Sequence, residues 1–331
     1  MAAFPEIDLA SPLQFVINAA AGGNDAEAKR DIIETALRAG GRRGDLLFCS
    51  PGELTSASQQ AATRASTIRS AVVAVGGDGT LNTVAQAAHA AGCAMGVVPQ
   101  GTFNYFARTH GIPADPADAV RQLLSSAPAP VQVAGINERV FLVNASLGLY
   151  PDLLEDREAF KARFGRSRWV AFMAACATLL RAQRRLRLRI ETGGKVRDLQ
   201  TLTLFVGNNR LQLQQFGAEP EDTLAGTPGD GSMAAVVLRP IGAMSMIALM
   251  LHGAMGRLGE AAGVERFEFE HLVVRPTLPQ GHRGVKVAFD GEVTTMRAPL
   301  NFRVLDRPLY LLKPQRRVFL PESQESAASS E

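Results

Sequence analysis

The sequence predicts an α/β N-terminal domain, with a parallel sheet and helices on both faces, followed by a β-rich antiparallel domain of sandwich-like architecture. Three observations support this prediction. Short apolar strands alternate with helical patterns up to about residue 125, period-two strands dominate after about residue 130, and a proline- and serine-rich stretch separates the two regions. A chain of 331 residues is also long enough for two domains.

The N-terminal domain is predicted from four short apolar strands and the helical patterns that alternate with them. Such alternation implies parallel strands, because each helix carries the chain back to the start of the next strand. The predicted strands are Leu13–Ala19, Asp45–Ser50, Ala71–Val75 and Ala94–Gly101, and the predicted helices are Asp25–Ala39, Thr55–Ser70, Leu81–Ala91 and Ala114–Ser125.

The second domain begins where the pattern changes, after the segment "SSAPAPVQ" at Ser125–Gln132. Its strands alternate apolar and polar residues, which is typical of antiparallel sheets with one buried face, and helical stretches at 152–184 and 240–260 interrupt them. We therefore expect domains at 12–130 and 131–307. The polar end of the chain, 321–331, is predicted to be disordered.

Basic charge is concentrated in one segment of the chain. Ten lysines and arginines and a single acid lie between Arg157 and Arg189, whereas the net charge of the whole chain is only +3. One interpretation is a solvated helix surface followed by a strand. The other is a patch that binds an anionic membrane or a polyanionic ligand, since clustered charge creates a local field that the net charge hides.

The sequence also predicts where the protein works. It begins without a basic stretch and apolar core typical of a signal peptide, and its three cysteines are far apart. The apolar runs Trp169–Leu180 and Ile241–Gly256 are shorter than the roughly 20 residues that a spanning helix needs. We therefore expect a cytoplasmic protein that associates peripherally with membranes.

A glycine-rich loop follows the third predicted strand, in the stretch "AVVAVGGDGTLNTVAQAA". The loop Gly76–Thr80 opens directly into a helix, so backbone N–H groups and the positive helix end face an anion such as phosphate. It lacks the lysine of a Walker A loop and the spacing of G-x-G-x-x-G. Asp78 could organise Mg²⁺ or its bound waters; the structural alternative is that it only caps the helix.

Two further loops are expected at the same edge of the sheet. Val97–Arg108, "VVPQGTFNYFAR", follows the fourth strand, and Asn18–Gly23 follows the first. The carboxyl ends of the strands in a doubly wound sheet are where ligands bind. Three polar or glycine-rich loops at three strand ends therefore predict a binding site there.

These loops also carry a family resemblance. The motifs that match, in chain order, are "VGGDGTLN", "VPQGTFNYFAR", "FLVNASLGLYPDLLEDRE", "LFVGNNR", "PGDGSMAAVVL" and "VAFDGE". The chain resembles the diacylglycerol kinase catalytic-domain family of soluble bacterial-type lipid kinases, which is similar to the NAD kinases and more distantly to the phosphofructokinases. The resemblance covers Gln14 to Lys313.

The resemblance implies a set of site residues. The family's nucleotide contacts fall on Asn18, Ser50, Gly76, Gly77, Asp78, Gly79, Thr80, Leu81, Asn82 and Thr102. Its Mg²⁺-organising turn falls on Asp230, with Thr227 and Ser232 as flanking ligands, and its acidic motif falls on Asp290 and Glu292. A lipid hydroxyl must lose its proton as it attacks the γ-phosphate. Either acid of this motif could take that proton, and the sequence does not decide between them.

The function that the resemblance implies is ATP- and Mg²⁺-dependent transfer of the γ-phosphoryl group to a lipid hydroxyl, such as that of diacylglycerol. The active site would lie in the interdomain cleft, and segment 308–320 would return to the first domain. The expected partners are the lipid substrate and an anionic membrane surface at 157–189, with no nucleic acid. The oligomeric state stays open between a monomer and a homodimer.

Two departures from the family pattern leave alternatives open. The first loop reads "NAAAG" without the family's proline, and Tyr105 stands where the family has an acid after "GTFN". One alternative is an NAD kinase-like enzyme, since NAD kinases also use G-G-D-G-T. The other is a non-catalytic regulator that binds nucleotide or lipid on a kinase scaffold.

Overall fold

The computed structural model of the chain describes residues 4–21, 26–148, 151, 186–208, 231–240, 264–278 and 284–314. The helices are α1 Ala26–Ala39, α2 Leu54–Thr67, α3 Asp78–Ala91, α4 Tyr105–Thr109 and α5 Pro116–Leu124. The strands are β1 Leu13–Asn18, β2 Gly44–Cys49, β3 Ala71–Gly76, β4 Ala94–Pro99, β5 Ser126–Val131, β6 Ala134–Ile136, β7 Arg139–Phe141, β8 Asn144–Gly148, β9 Leu186–Thr192, β10 Lys195–Thr201, β11 Thr203–Gly207, β12 Met233–Leu238, β13 Val264–Phe269, β14 His271–Pro276, β15 Gly284–Phe289, β16 Glu292–Arg297, β17 Leu300–Val304 and β18 Leu309–Pro314.

The first sheet has six strands in the order β2-β1-β3-β4-β18-β5. Strands β1 to β4 pair in parallel, and β18, from the far end of the described chain, pairs in parallel with β4. Strand β5 is antiparallel to β18 and completes the sheet. The sheet is therefore mixed, with one antiparallel pair at its edge.

Strand β5 lies within Ser125–Gln132, the stretch at which the sequence predicts the domain boundary. Its sequence, SAPAPV, contains two prolines, which cannot donate a backbone hydrogen bond. A strand tolerates proline where one of its sides has no neighbour, and β5 is the last strand of its sheet. The prolines thus mark an edge strand at the end of the first domain.

The first domain buries both faces of its central strands. Every residue of β3 and of β4 is buried, which is why these segments are apolar without alternation. Helix α1 packs with α5, and α2 packs with α3, so that one pair of helices covers each face. Aliphatic side chains of the strands and helices form one continuous core.

The second domain consists of two antiparallel six-stranded sheets, ordered β10-β9-β14-β17-β6-β7 and β13-β12-β11-β8-β15-β16. Their inner faces share one core, to which alternate residues of the strands contribute. In β9, for example, Leu188 and Ile190 are buried whereas Arg187 and Arg189 are exposed. The predicted fold class, an α/β domain followed by a β-rich antiparallel domain, is confirmed.

Several expectations fall on parts of the chain that the structure does not describe. They include almost all of the helical stretches 152–184 and 240–260, the basic segment as far as residue 185, and the tail at 321–331. Within the described ranges, no helix is long and apolar enough to cross a membrane.

Candidate active site

A cleft of about 730 Å³ lies at the carboxyl ends of β1, β3 and β4. Its walls come from the first domain except for Glu292, the first residue of β16, so the cleft lies between the two domains. The lining residues are Asn18, Ala20, Ala21, Pro51, Leu54, Thr55, Gly77, Asp78, Gly79, Thr80, Thr83, Gln100, Gly101, Thr102 and Glu292.

The floor of the cleft is made by two glycine loops in direct contact. A methyl group added at Gly101 would lie 2.8 Å from the Cα of Gly77 and 2.7 Å from Oδ1 of Asn104. Only glycine at these positions lets the loops after β3 and β4 approach so closely. Helix α3 begins at Asp78, directly after Gly77, so the N–H groups of its first turn point into the cleft.

The carboxylate of Asp78 lies at this helix end and is only partly satisfied. Its Oδ2 accepts a hydrogen bond of 3.1 Å from the backbone N–H of Asn104, whereas its buried Oδ1 has no hydrogen-bond partner among the described residues. Burial raises the pKa of Asp78, although the backbone N–H groups of Asn104, Tyr105 and Phe106 and its own N–H oppose this shift. A buried oxygen without a donor suits a cation or an ordered water.

A second buried acceptor lies in the same wall. Gln100 follows β4 and lines the cleft, and its Oε1 has no hydrogen-bond partner in the part of the chain that the structure describes. Sequence analysis did not select this residue, because a lone glutamine after a strand carries no motif. Together with Asp78 it gives the cleft two oxygens with unused acceptor capacity.

Asn104 explains how the loop "PQGTFN" holds its shape. It adopts a left-handed backbone conformation, with φ of 49°, which asparagine tolerates better than most residues. Its side chain accepts from the Gly101 N–H at 2.8 Å and donates to the Gly101 carbonyl at 2.9 Å. Tyr105, the departure from the family's acid, begins α4 and stacks on Phe103 with ring centroids 5.4 Å apart.

The first loop is fixed by a lysine that sequence analysis missed. Lys29 on α1 is buried, and its Nζ donates to the carbonyls of Ala19, at 3.2 Å, and Ala21. Asn18, at the start of the loop, donates from Nδ2 to the hydroxyl of Thr80 at 3.0 Å. Lys29 thus restrains the loop that lacks the family's proline. The sequence does not indicate this contact, because a lysine on an amphipathic helix is usually exposed to solvent.

Glu292 reaches the cleft from the second domain. Its Oε1 lies where a methyl group on Gly79 would be, so the carboxylate packs directly over the first turn of α3. The residue is exposed and lines the cleft. A carboxylate from one domain therefore faces the N–H groups of the other.

Asp290, two residues earlier, points away into a buried junction between the domains. Its Oδ1 accepts from the backbone N–H of Val143 and Asn144, at 2.8 and 3.1 Å. Its Oδ2 accepts from the N–H of Leu142 at 2.7 Å and from Nδ2 of Asn82 at 2.6 Å. Burial raises the pKa of Asp290 to about 6, against the opposing effect of these four donors.

The structure separates the expected site residues into two groups. Seven of them line the cleft: Asn18, Gly77, Asp78, Gly79, Thr80, Thr102 and Glu292. Six described residues do not line it: Ser50, Gly76, Leu81, Asn82, Ser232 and Asp290. Among these, Ser50 donates its hydroxyl to Glu53 at 2.7 Å, and Leu81 is fully buried.

The expected Mg²⁺-organising turn is described only in part. Thr227 and Asp230 lie outside the described residues. Ser232 is described, and its backbone carbonyl accepts a hydrogen bond of 3.0 Å from Nε2 of Gln132.

Comparison with known proteins links the cleft to a family. Residues 12–136 match the family model of the diacylglycerol kinase catalytic domain. A protein of Klebsiella pneumoniae (strain 342) named "Probable lipid kinase YegS-like" is 37% identical over 98 residues, which are 28% of this chain and 33% of that protein. A protein of the same name from Pseudomonas aeruginosa (strain UCBPP-PA14) is 43% identical over 79 residues, 23% of this chain and 26% of that protein.

The sequence matches thus span only about a quarter to a third of these curated relatives, whereas the likeness of fold extends over nearly the whole chain. A solved diacylglycerol kinase structure from Bacillus anthracis str. Sterne has a TM-score of 0.62 and covers 95% of this chain and 98% of its own, at 16% identity. Another structure from the same organism has a TM-score of 0.67 and covers 91% and 95%, at 17% identity. Residues 12–136 therefore resemble the diacylglycerol kinase catalytic domain in sequence, and the two solved structures extend the likeness of fold over the rest of the chain.

Proposed function

We propose that the protein is a lipid kinase that transfers the γ-phosphoryl group of ATP to the hydroxyl of a lipid such as diacylglycerol. The observation that carries the proposal is the composition of the cleft. The amides of a helix N-terminus, the partly satisfied carboxylate of Asp78 and the carboxylate of Glu292 converge there from two domains. Phosphoryl transfer depends mainly on positioning and charge stabilisation, and this arrangement supplies both.

ATP would bind with its phosphates against the loop at Gly77–Thr80. The N–H groups of that loop and of the first turn of α3 donate to phosphate oxygens, and the close contact with Gly101 keeps side chains out of the way. Asp78 and Gln100 offer oxygens that fit Mg²⁺ or its bound waters. When bound, Mg²⁺ neutralises part of the phosphate charge.

Glu292 is proposed as the acceptor of the lipid hydroxyl's proton. The hydroxyl oxygen forms a bond to the γ-phosphorus as the bond from that phosphorus to the β-phosphate oxygen breaks and ADP leaves. Glu292 is exposed in the cleft and free to receive the proton, whereas both oxygens of Asp290 already accept two hydrogen bonds each. Asp290 is proposed to orient the turn that presents Glu292.

The test is a lipid-kinase assay with radiolabelled ATP, Mg²⁺ and either diacylglycerol in mixed micelles or a total lipid extract. We expect labelled lipid from the wild type. Glu292→Gln should lower kcat by roughly 10²- to 10⁴-fold, the usual contribution of general base catalysis, with an unchanged melting temperature. A full rate in this variant would contradict the assignment of the proton acceptor and would favour Asp290, the other acid of the motif.

The same assay distinguishes the alternatives. Formation of NADP from NAD, without labelled lipid, would identify an NAD kinase-like enzyme. Binding of ATP without transfer to any lipid or to NAD would identify a nucleotide-binding regulator. Labelling of one purified lipid class from the extract would name the acceptor.

We further propose that the protein works in the cytoplasm, at an anionic membrane surface, through segment 157–189. The described end of this segment supports the proposal through Arg187, which projects from the outer face of β9. The neighbouring Arg189 is paired with Asp198 at 2.9 Å, and Arg275, opposite it on β14, is paired with Glu191 at 3.1 Å. Vesicles containing phosphatidylglycerol should sediment the protein at low salt, and phosphatidylcholine vesicles should not. Equal binding to both vesicle types would refute this proposal without affecting the kinase assignment.

A further inference from the structure

A second concave site, which we call the basic groove, lies in the β-rich domain and has a volume of about 840 Å³. The turn between β6 and β7, with β14 and β17, contributes to it from one sheet, and β16 contributes from the other. Three arginines and a histidine line it, and all four are exposed: Arg139, Arg297, Arg303 and His271. Glu138 is the single acid among the described residues that line it.

The basic groove is separate from the cleft described above. Strand β16 begins at Glu292 in the cleft and ends at Arg297 in the groove, about 16 Å further along the strand. Among the described residues, the two sites have no lining residue in common. A ligand in the groove therefore leaves the cleft free.

The basic side chains of the groove lack the acidic partners that other arginines of this domain have. None of the four forms an ion pair or a side-chain hydrogen bond with a residue in the described ranges. Three other exposed arginines of the domain pair with acids at 2.9 to 3.1 Å: Arg189 with Asp198, Arg239 with Glu265 and Arg275 with Glu191. Clustered positive charge without a partner creates a local field that attracts anions from solution.

The backbone that carries these arginines is held by one asparagine. Asn137, in the turn between β6 and β7, accepts from the N–H of Asn301 at 2.8 Å and donates its own N–H to the Asn301 carbonyl at 2.9 Å. Its Nδ2 donates to the carbonyl of Arg297 at 3.3 Å. The turn, β17 and the end of β16 are thus fixed to one another, and Arg303 lies directly opposite His271 on the neighbouring strand. The groove is therefore formed before any ligand binds.

The charge and the donors of the groove fit a phosphate monoester. Three arginines and one glutamate leave a net charge of +2, which a phosphate dianion balances. The planar guanidinium matches phosphate oxygens in pairs, and the exposed hydroxyls of Thr294 and Thr295 are further donors in the same groove. A carboxylate offers only two oxygens and one charge, so it would leave part of this site unused.

We propose that the basic groove binds the phosphate of a monoester, either a soluble one or the head group of a lipid. Its volume leaves room for the group that the phosphate esterifies. The proposal rests on the β-rich domain alone and does not depend on the kinase assignment or on segment 157–189.

Binding to the full chain without nucleotide distinguishes the two sources. Titration calorimetry with sn-glycerol 3-phosphate measures the soluble ester, and sedimentation with phosphatidylcholine vesicles containing phosphatidic acid measures the lipid. Vesicles of equal total charge made with phosphatidylglycerol, a diester, are the control for general attraction to an anionic surface. Binding of the soluble ester would identify it as a sufficient ligand, and preference for phosphatidic acid alone would identify a lipid head group. Absence of both would refute the proposal.

A matched pair of double variants assigns the binding to the groove. Arg297→Gln with Arg303→Gln should raise the dissociation constant of the monoester by roughly 10-fold or more, because charge-assisted hydrogen bonds are lost. Arg197→Gln with Arg239→Gln removes the same two charges from exposed ion pairs with Glu265 and should leave the dissociation constant within about 2-fold. Both variants should melt close to the wild type, since all four side chains are exposed. Equal weakening in the two variants, or none in the first, would overturn the proposal.

Chemical modification locates the phosphate on individual arginines. Phenylglyoxal reacts with accessible guanidinium groups, and mass spectrometry reports each site. The monoester that binds should slow the modification of Arg139, Arg297 and Arg303 and leave Arg197 and Arg239 unchanged. Equal protection of all five would indicate general screening and would count against the groove.

Discussion

Asp78 and Asp290 are both buried enough for their pKa values to rise, but they differ in how many hydrogen bonds their carboxylates accept. Burial raises the pKa of both. Yet Asp290 accepts four hydrogen bonds in a closed junction, whereas one oxygen of Asp78 has no partner among the described residues and the residue lines the cleft.

The difference shows that burial alone does not identify a functional carboxylate. The hydrogen-bond donors around Asp290 are already in place, so its acceptor capacity is used by the fold itself. The charge of Asp78 is balanced only in part, so it is available to a ligand or to a cation that accompanies one. Unused hydrogen-bonding capacity, more than pKa, distinguishes Asp78, which we propose binds a ligand, from Asp290, whose acceptors are occupied by the fold.

The largest expected effect is the loss of activity in Asp78→Asn. Removing the charge should lower kcat/KM by on the order of 10²-fold or more, since positioned charge around a transferring phosphoryl group contributes several kcal/mol. The melting temperature at pH 7 should stay the same or rise, because the folded protein no longer holds an ionised carboxylate in a partly buried place. Asp306→Asn, at an exposed aspartate, is the matched control for kinetics and melting. A stable variant with full activity would remove Asp78 from the site.

Asp290 should make the protein less stable as pH rises. Its pKa of about 6 in the folded state lies above the ordinary value of 3.8, so the folded state binds more protons between these values. The contribution of Asp290 to the free energy of unfolding is therefore fully present below pH 3.8 and is lost as pH rises through about 6. The free energy of unfolding changes by up to about 3 kcal/mol over this range.

Urea unfolding between pH 4 and pH 7 measures this effect as the difference in unfolding free energy between wild type and Asp290→Asn. The difference should become less favourable to the wild type toward pH 7. A difference that grows with pH would mean that the four donors outweigh burial and that Asp290 is held ionised.

Asn82→Ala should cost stability and leave nucleotide binding intact. Its Nδ2 donates to Asp290 and to the carbonyl of Val140, at 2.6 and 2.9 Å, and both acceptors are left without this donor in the variant. Losing such buried hydrogen bonds costs roughly 1–3 kcal/mol of unfolding free energy. The KM for ATP should remain that of the wild type, because Asn82 does not line the cleft.

Asn18→Ala gives the contrasting result, since Asn18 lines the cleft and binds Thr80. Its KM for ATP should rise while its stability changes little. If Asn82→Ala instead raised KM without loss of stability, the division between the cleft and the junction would not hold.

The smallest expected effects are those of adding a methyl group at two glycines of the cleft, Gly101 and Gly79. Gly101→Ala places a methyl group against the backbone of Gly77 and should cost roughly 1–3 kcal/mol, as overpacking does. Gly79→Ala meets only the flexible end of Glu292, so its stability should match the wild type while its kcat falls. Chemical denaturation and kinetics on both variants check this; equal stability losses would show that Glu292 is rigidly held.

The sequence was sufficient for the fold class and for most of the cleft. Continuous apolar strands and the glycine loops that follow them are local signals, and seven of the expected residues indeed lie together. Pairings between distant residues have no local signal. Asp290 binds Asn82 across 208 positions, Lys29 closes a loop from a helix, and Gln132 reaches Ser232 across 100 positions.

The position of β18 has a consequence for how the protein is made. A ribosome synthesises the N-terminal residues first, so β4 and β5 emerge long before β18. In the folded protein β18, residues 309–314, lies between these two strands. While the β-rich domain is being synthesised, the nascent first sheet exposes the unpaired edge of β4, a surface to which other chains can bind. A fragment cut at residue 136, where the family match ends, would keep that exposed edge permanently.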